Sequence, residues 1–180
     1  AVPVEETLAA YQQLIQQGKV RYIAASQHSS KQLRLAKQVA IENNLPQYIA
    51  LQNEYNLIER ATYETDSVPV LNDLGIGSFP FFGLARGYLT GKYRGGQQVT
   101  SVRANGVAGY QTPENEALLA RIEKVASDHS VSMASVSLQW LRSQPTVIAP
   151  IASARTIEQL HELVESVDLD ARELAFLTAV

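Results

Sequence analysis

The chain has 180 residues, 46% of them hydrophobic, with no Cys and a formal net charge of −3. It can bury a core, and it can build neither a disulfide framework nor a thiolate metal site. Its 18 acidic residues outnumber 15 basic ones, no apolar run approaches the ~20 residues of a membrane span, and the opening AVPVEETLAA is acidic, so the expectation is a cytoplasmic domain with neither a nucleic-acid nor a membrane partner.

In chain order, Glu5 to Gln17 reads as a helix with Leu8, Tyr11, Leu14 and Ile15 on one face and Gly18 as its stop. The run VRYIAAS (Val20 to Ser26) follows as a strand. Ser29 or Ser30 can cap a helix through Ile41, with Leu33, Ala36, Ala40 and Ile41 as its apolar stripe. QYIALQ (Gln47 to Gln52) is a second strand. Arg60 to Leu74 is a helix with Pro69 as an irregularity and Gly75 as its stop, and IGSFPFF (Ile76 to Phe82) is a third strand. Thr112 and Pro113 open a helix to about Asp128 as N-cap and first residue. Met133 to Ser143 is another helix. TVIAPIA (Thr146 to Ala152) reads as a fourth strand, and helices over Thr156 to Ser166 and from Asp170 onward complete the chain.

None of the four apolar runs alternates cleanly, as expected for strands buried on both faces of a parallel sheet. Helices alternate with strands, so the class is α/β. The four strands are expected parallel and adjacent in chain order, because right-handed crossovers place each strand beside the last. A (β/α)8 barrel takes roughly 250 residues; four such units fit here, as in part of one. Residues 91–111 break the rhythm with five glycines and little to bury. A loop that long is functional or disordered, and it is expected to be mobile.

The segments VPVEETL, GKVRYIAAS, LQNEYNLIER, LGIG, GLARGYLTGKYR and VSLQWLRSQP stand in one order. Together they resemble the aldo-keto reductases, NADPH-dependent carbonyl reductases on a (β/α)8 TIM-type barrel. The resemblance runs over nearly the whole of residues 1–180 and matches the second half of the barrel, strands five to eight. It implies an oxidoreductase that reduces aldehydes or ketones to alcohols. The family's catalytic Asp, Tyr, Lys and His lie in the first four strand units and have no counterpart here. His28, His129 and His161 are not that His, and the 180-residue chain alone is expected to be inactive. A small carbonyl compound would be the substrate. A missing amino-terminal half-barrel or a second copy would cover the outer strands, whose edges are otherwise open.

The resemblance also implies a cofactor site for NADP(H), with NAD as the alternative. Ser26 and Gln52 match partners of the nicotinamide carboxamide, and Gln27 replaces the usual Asn. Ser26 can equally be a turn or capping residue, and Gln52 a buried glutamine bonded to a neighbouring strand. Phe81 matches the aromatic that stacks on the nicotinamide; Phe82 falls where many members have Ser, and both can be core filling. Gly83, Leu84 and Gly87 belong to the phosphate loop, where glycine lets backbone turn tightly and approach a ligand. Arg86, Lys92 and Arg94 bring three cations into nine residues, a set that suits a pyrophosphate or a solvated basic loop. The five residues Ser26, Gln52, Phe81, Arg86 and Lys92 are expected on one rim. Beyond the fourth run, Ile151, Ser153, Arg155, Gln159 and Glu162 fall on or beside the family's 2′-phosphate segment, where a helix amino terminus favours an anion. Leu163 stands where many relatives have an Asn for the adenine. Trp140 reads as helix packing, and no spacing argues for a metal. The competing function is a non-catalytic dinucleotide-binding module of the ion-channel-subunit kind.

Overall fold

The computed structural model describes residues 2–94 and 106–179. The chain divides into two compact units, one of Ala1–Asn53 with Ala61–Phe79, the other of Glu54–Arg60 with Pro80–Val180.

In the first unit α1 (Val4–Gln16), β1 (Ile23–Ser26), α2 (Ser30–Glu42), β2 (Tyr48–Gln52), α3 (Val68–Leu74) and β3 (Gly77–Ser78) follow in order. The strands form a parallel sheet in the order β1-β2-β3, with Ser26 opposite Gln52 and Leu51 opposite Ser78. Leu8 of α1, Ile23 of β1 and Ala40 of α2 pack into one core cluster, with Tyr11, Ile15 and Val20 against it. At Gly18, φ is 70°, and the Gly18 and Lys19 amides bond back to Ile15 and Leu14 carbonyls, which ends α1. Ser29 is the α2 cap. Its hydroxyl accepts from Gln32 N while the Gln32 side chain accepts from Ser29 N. Ile41 does not join the buried stripe. It is 61% exposed, because one residue beyond Ala40 turns it roughly 100° away from the packed face.

The expected helix from Arg60 to Leu74 is broken into a π-helical turn, Tyr63–Ser67, leading into α3. Pro69 has no N–H to give to the residue 65 carbonyl, so the regular α ladder cannot run through it. The fourth apolar run, Thr146 to Ala152, forms no strand among the described residues. Pro150 interrupts it without a ladder donor; Ile151 N donates to Pro80 O at 2.7 Å and Val147 N to Gln144 O at 3.0 Å. Three of the four expected strands are therefore present, parallel and in chain order.

The second unit holds a 3-10 segment (Ala85–Thr90), a 3-10 turn (Ala108–Tyr110), α4 (Pro113–His129), α5 (Met133–Arg142), α6 (Ile157–Val164) and α7 (Ala171–Thr178). Thr112, Ser132, Thr156 and Asp170 cap the four helices with side-chain oxygens. Trp140, Leu138 and Leu141 of α5 are fully buried with Tyr55, Tyr88, Leu119 and Ile122. The Trp140 ring lies 5.5 Å from that of Tyr55, and its Nε1 donates to Thr178 Oγ1 at 3.0 Å, so Trp140 is a packing residue. Most of the long loop expected to be mobile, residues 95–105, lies outside the described residues. In its later part Val107 and Tyr110 are buried.

Candidate functional site

In the first unit, Ser26 and Gln52 are the last residues of neighbouring strands and sit opposite each other. The Ser26 hydroxyl donates to Gln52 Oε1 at 3.2 Å. That bond occupies the glutamine's acceptor and leaves its two amide N–H donors without a partner among the described residues. An amide donor at the carboxyl end of a parallel sheet suits a carboxamide or other carbonyl acceptor, so the residues present fit the head group of a nicotinamide cofactor. Gln27 turns the chain there. Its φ is 54° and its amide donates to Gln52 O at 3.0 Å, so the backbone of Gln27 braces the pair. Asn53 holds the same turn by donating to His28 O at 3.0 Å, and its buried Oδ1 has no partner among the described residues.

In the second unit the chain from Phe82 to Gly87 is unusual. Phe82, Ala85 and Arg86 all have positive φ (54°, 46° and 58°), as does Gly87 at 96°. L-residues avoid this region, and several together mark a turn held by its surroundings. The Phe81 and Phe82 rings meet edge to face at 5.1 Å. Phe81 is half-buried and keeps aromatic surface for a flat ligand. Phe82 is engaged by the Arg86 guanidinium, 4.2 Å from its ring centroid.

Gly83 owes its identity to packing. A Cβ there would lie 3.0 Å from Leu141 and 3.2 Å from Leu138 methyl carbons of α5. Leu84 supplies the carbonyl that accepts from Gly87 N and Leu89 N. Lys92 is exposed, its Nζ 5.1 Å over the Tyr93 ring. Arg94 faces α4, bonding Glu123 at 2.5 Å with Glu116 at 4.0 Å. Of the three cations, Arg86 and Lys92 form no salt bridge among the described residues, although Arg86 acts electrostatically on the Glu54 carboxyl.

The segment before α6 is exposed through Ile151, Ser153 and Arg155. Arg155 N donates to Gln159 Oε1 at 2.9 Å, and Thr156 Oγ1 accepts from Gln159 N. Gln159 is thus part of the α6 cap, while the Arg155 guanidinium and Ser153 hydroxyl have no partner among the described residues. The exposed Glu162 gives its carbonyl to Ser135 Oγ at 2.9 Å. Leu163 is buried and its carbonyl accepts from Arg142 at 2.6 Å, a core role.

Asn56, Glu54, Tyr110 and Gly106 were not singled out from sequence. Asn56 is fully buried and donates to Phe82 O at 3.1 Å. Burial, then the neighbouring Glu59, pushes the Glu54 carboxyl up against the pull of Arg86. Burial likewise raises the Tyr110 phenol, against a hydrogen bond from Arg86. The motif LQNEYNLIER contains two of these residues, but an Asn in a loop reads first as a turn former.

A model of the aldo/keto reductase family matches residues 1–180. The chain belongs to the aldo/keto reductase family. It is 32% identical to aldo-keto reductase AMT2 of Alternaria alternata over 96% of this chain and 45% of that protein. It is 30% identical to versiconal hemiacetal acetate reductase of Aspergillus parasiticus, over 97% of this chain and 52% of the relative. A candidate voltage-gated potassium channel subunit beta of Schizosaccharomyces pombe is 31% identical, over 93% and 51%. The chain spans about half the length of these relatives. A crystal structure of a thermostable aldo-keto reductase with the inhibitor epalrestat matches at a TM-score of 0.74 and 23% identity, covering 98% of this chain and 54% of that one. The fold of this aldo/keto reductase chain is therefore α/β, part of a (β/α)8 barrel. Among the described residues no cluster of His, Cys, Asp and Glu can hold a metal, and no helix is long and apolar enough to cross a membrane.

Proposed function

We propose that the protein carrying this chain is a cytoplasmic NADP(H)-dependent oxidoreductase that reduces an aldehyde or ketone to an alcohol, and that this chain supplies the dinucleotide-binding side. The observation that carries the reading is the Ser26–Gln52 pair, whose hydrogen bond leaves amide donors at the strand ends. When bound, the cofactor supplies the hydride. Ser26 and Gln52 hold the carboxamide, and the family resemblance makes Phe81 the aromatic that stacks on the nicotinamide. Arg86 and Lys92 bind the phosphates, while Arg94 braces the loop on α4. Ser153 and Arg155, before the capped amino terminus of α6, bind the 2′-phosphate, with Ile151, Gln159 and Glu162 shaping that turn. With Arg155 on the 2′-phosphate the preference is NADP over NAD.

Proton donation to the carbonyl oxygen needs an acid that residues 1–180 do not supply in this reading, so the chain alone has no turnover. It works with a second half-barrel, or with a second copy. NADPH oxidation with 4-nitrobenzaldehyde tests this. The whole protein turns over and a chain confirmed by mass as these 180 residues does not; turnover by the latter overturns the reading. Arg86→Ala and Lys92→Ala each weaken NADPH roughly tenfold or more, the scale of a charge-assisted contact. Phe81→Ala instead slows hydride transfer at nearly unchanged affinity. Unchanged dissociation constants in both cation variants, measured by fluorescence quenching, would remove the phosphate assignment.

The relatives named as channel subunits support a second reading, a dinucleotide-binding subunit without turnover. NADPH binding by the whole protein, with no oxidation across a panel of aldehydes, would favour it.

A further inference from the structure

Arg86 is a placed cation rather than a loose one. Its guanidinium carbon lies 4.2 Å from the Phe82 ring centroid, and the Tyr110 hydroxyl is its hydrogen-bond partner. Its aliphatic stem runs against the backbone at Gly106. A Cβ built on Gly106 would come within 2.9 Å of Arg86 Cδ, 3.3 Å of a terminal nitrogen and 3.6 Å of Nε. The space taken by the arginine side chain leaves no room for a Cβ at this position. The contrast stands three residues on: a Cβ at Gly109 would meet nothing within 4 Å among the described residues.

We propose that Gly106 is the positioning residue for Arg86: the Cβ it lacks leaves the slot in which the arginine lies on Phe82, so position 106 sets the affinity for the anionic part of the cofactor. The collision falls at Cδ, in the middle of the side chain, so a small rotation of the far end cannot relieve it. Any larger residue at 106 lifts the guanidinium off the ring and away from Tyr110. The affinity half of this inference rests on the phosphate reading of Arg86; the placement half does not.

The test uses the whole protein with Gly106→Ala, Gly109→Ala, Arg86→Ala and the Arg86→Ala/Gly106→Ala double variant. Without cofactor, the Arg86 δ-protons should be shifted upfield by the Phe82 ring. Gly106→Ala should abolish that shift and Gly109→Ala should keep it. With NADPH, Gly106→Ala should raise the dissociation constant at least roughly threefold, the scale of one cation–π contact. Gly109→Ala should leave it unchanged, and the double variant should bind like Arg86→Ala alone. An unmoved Arg86 resonance in Gly106→Ala overturns the placement. A further loss on adding Gly106→Ala to Arg86→Ala overturns the route through the arginine. An Arg86→Ala protein that binds NADPH as the parent does overturns the phosphate reading, and the affinity claim with it.

Discussion

Asn56 holds Phe82 in place from beneath. Its Nδ2 donates to the Phe82 carbonyl at 3.1 Å, and its Oδ1 accepts from the amides of Ile58 and Glu59, each at 2.9 Å. Phe82 carries a φ of 54°, and the Ala85 amide bonds to the same carbonyl at 2.7 Å. One fully buried side chain thus ties two loops and pins a backbone geometry that L-residues avoid. Asn56→Leu keeps the approximate volume but leaves the Ile58 and Glu59 amides short of a partner, while the Phe82 carbonyl keeps only the Ala85 amide. Each such group costs about 1–3 kcal/mol. A loss of about 2 kcal/mol or more is expected from urea unfolding at an unchanged slope, and a loss under about 1 kcal/mol would show that the turn does not depend on this residue.

Gly83 separates packing from ligand approach. Its missing Cβ accommodates Leu138 and Leu141, both fully buried. Gly83→Ala should destabilise the fold by about 1–3 kcal/mol, the usual cost of overpacking, in cofactor-free protein. A variant as stable as the parent but weaker for NADPH would return Gly83 to the role of a close-approach glycine.

Helices were legible wherever the cap was written locally. Ser29, Thr112 and Asp170 stand at helix starts, and Gly18 and Gly75 at stops, because caps are settled within four residues. What depends on distant partners was not legible. Arg94 reads as a phosphate ligand from the cations beside it, but its partners Glu116 and Glu123 lie on α4. TVIAPIA has the composition of a strand, while the ladder requires a donor that Pro150 lacks. Asn56 looks like a turn residue until Phe82, far along the chain, is seen to depend on it. The Ser26–Gln52 pair was reached through family resemblance; spacing alone does not reveal two strand ends in register.

Asp66 makes the first unit acid-sensitive. Ser30 donates to it twice, from its hydroxyl at 2.5 Å and its amide at 2.9 Å. These bonds, the hydroxyl's first, hold the Asp66 carboxyl below its ordinary value of 3.8. A depressed carboxylate stabilises the fold above its unfolded pKa and loses that contribution as pH falls through the folded one. The stability difference between the parent and Asp66→Asn, from urea midpoints, should therefore be present at pH 6 and shrink below pH 4. A difference that stays constant from pH 6 to pH 3 would show that the charge of Asp66 contributes nothing to this tie.

Tyr88 should fail in the opposite direction. It is fully buried, and its hydroxyl donates to Glu116 Oε1 at 3.0 Å. Burial first, then the hydrogen bond and the negative charge of Glu116, push its phenol up from 10.0 to about 12. The folded protein therefore holds this proton more tightly than the unfolded chain. The resulting stability is complete below pH 10 and is lost as pH rises from 10 through about 12. Absorbance at 295 nm should show a late phenol ionisation that Tyr88→Phe removes. Glu116→Gln should move it to lower pH, because the amide still accepts the bond but no longer carries the charge. Stability should fall between pH 10 and 12 more steeply in the parent than in Tyr88→Phe. If Tyr88→Phe instead removes a transition centred on pH 10, the phenol is not shielded, and the packing of the Ala85–Thr90 segment against α4 is looser than the hydrogen bond indicates.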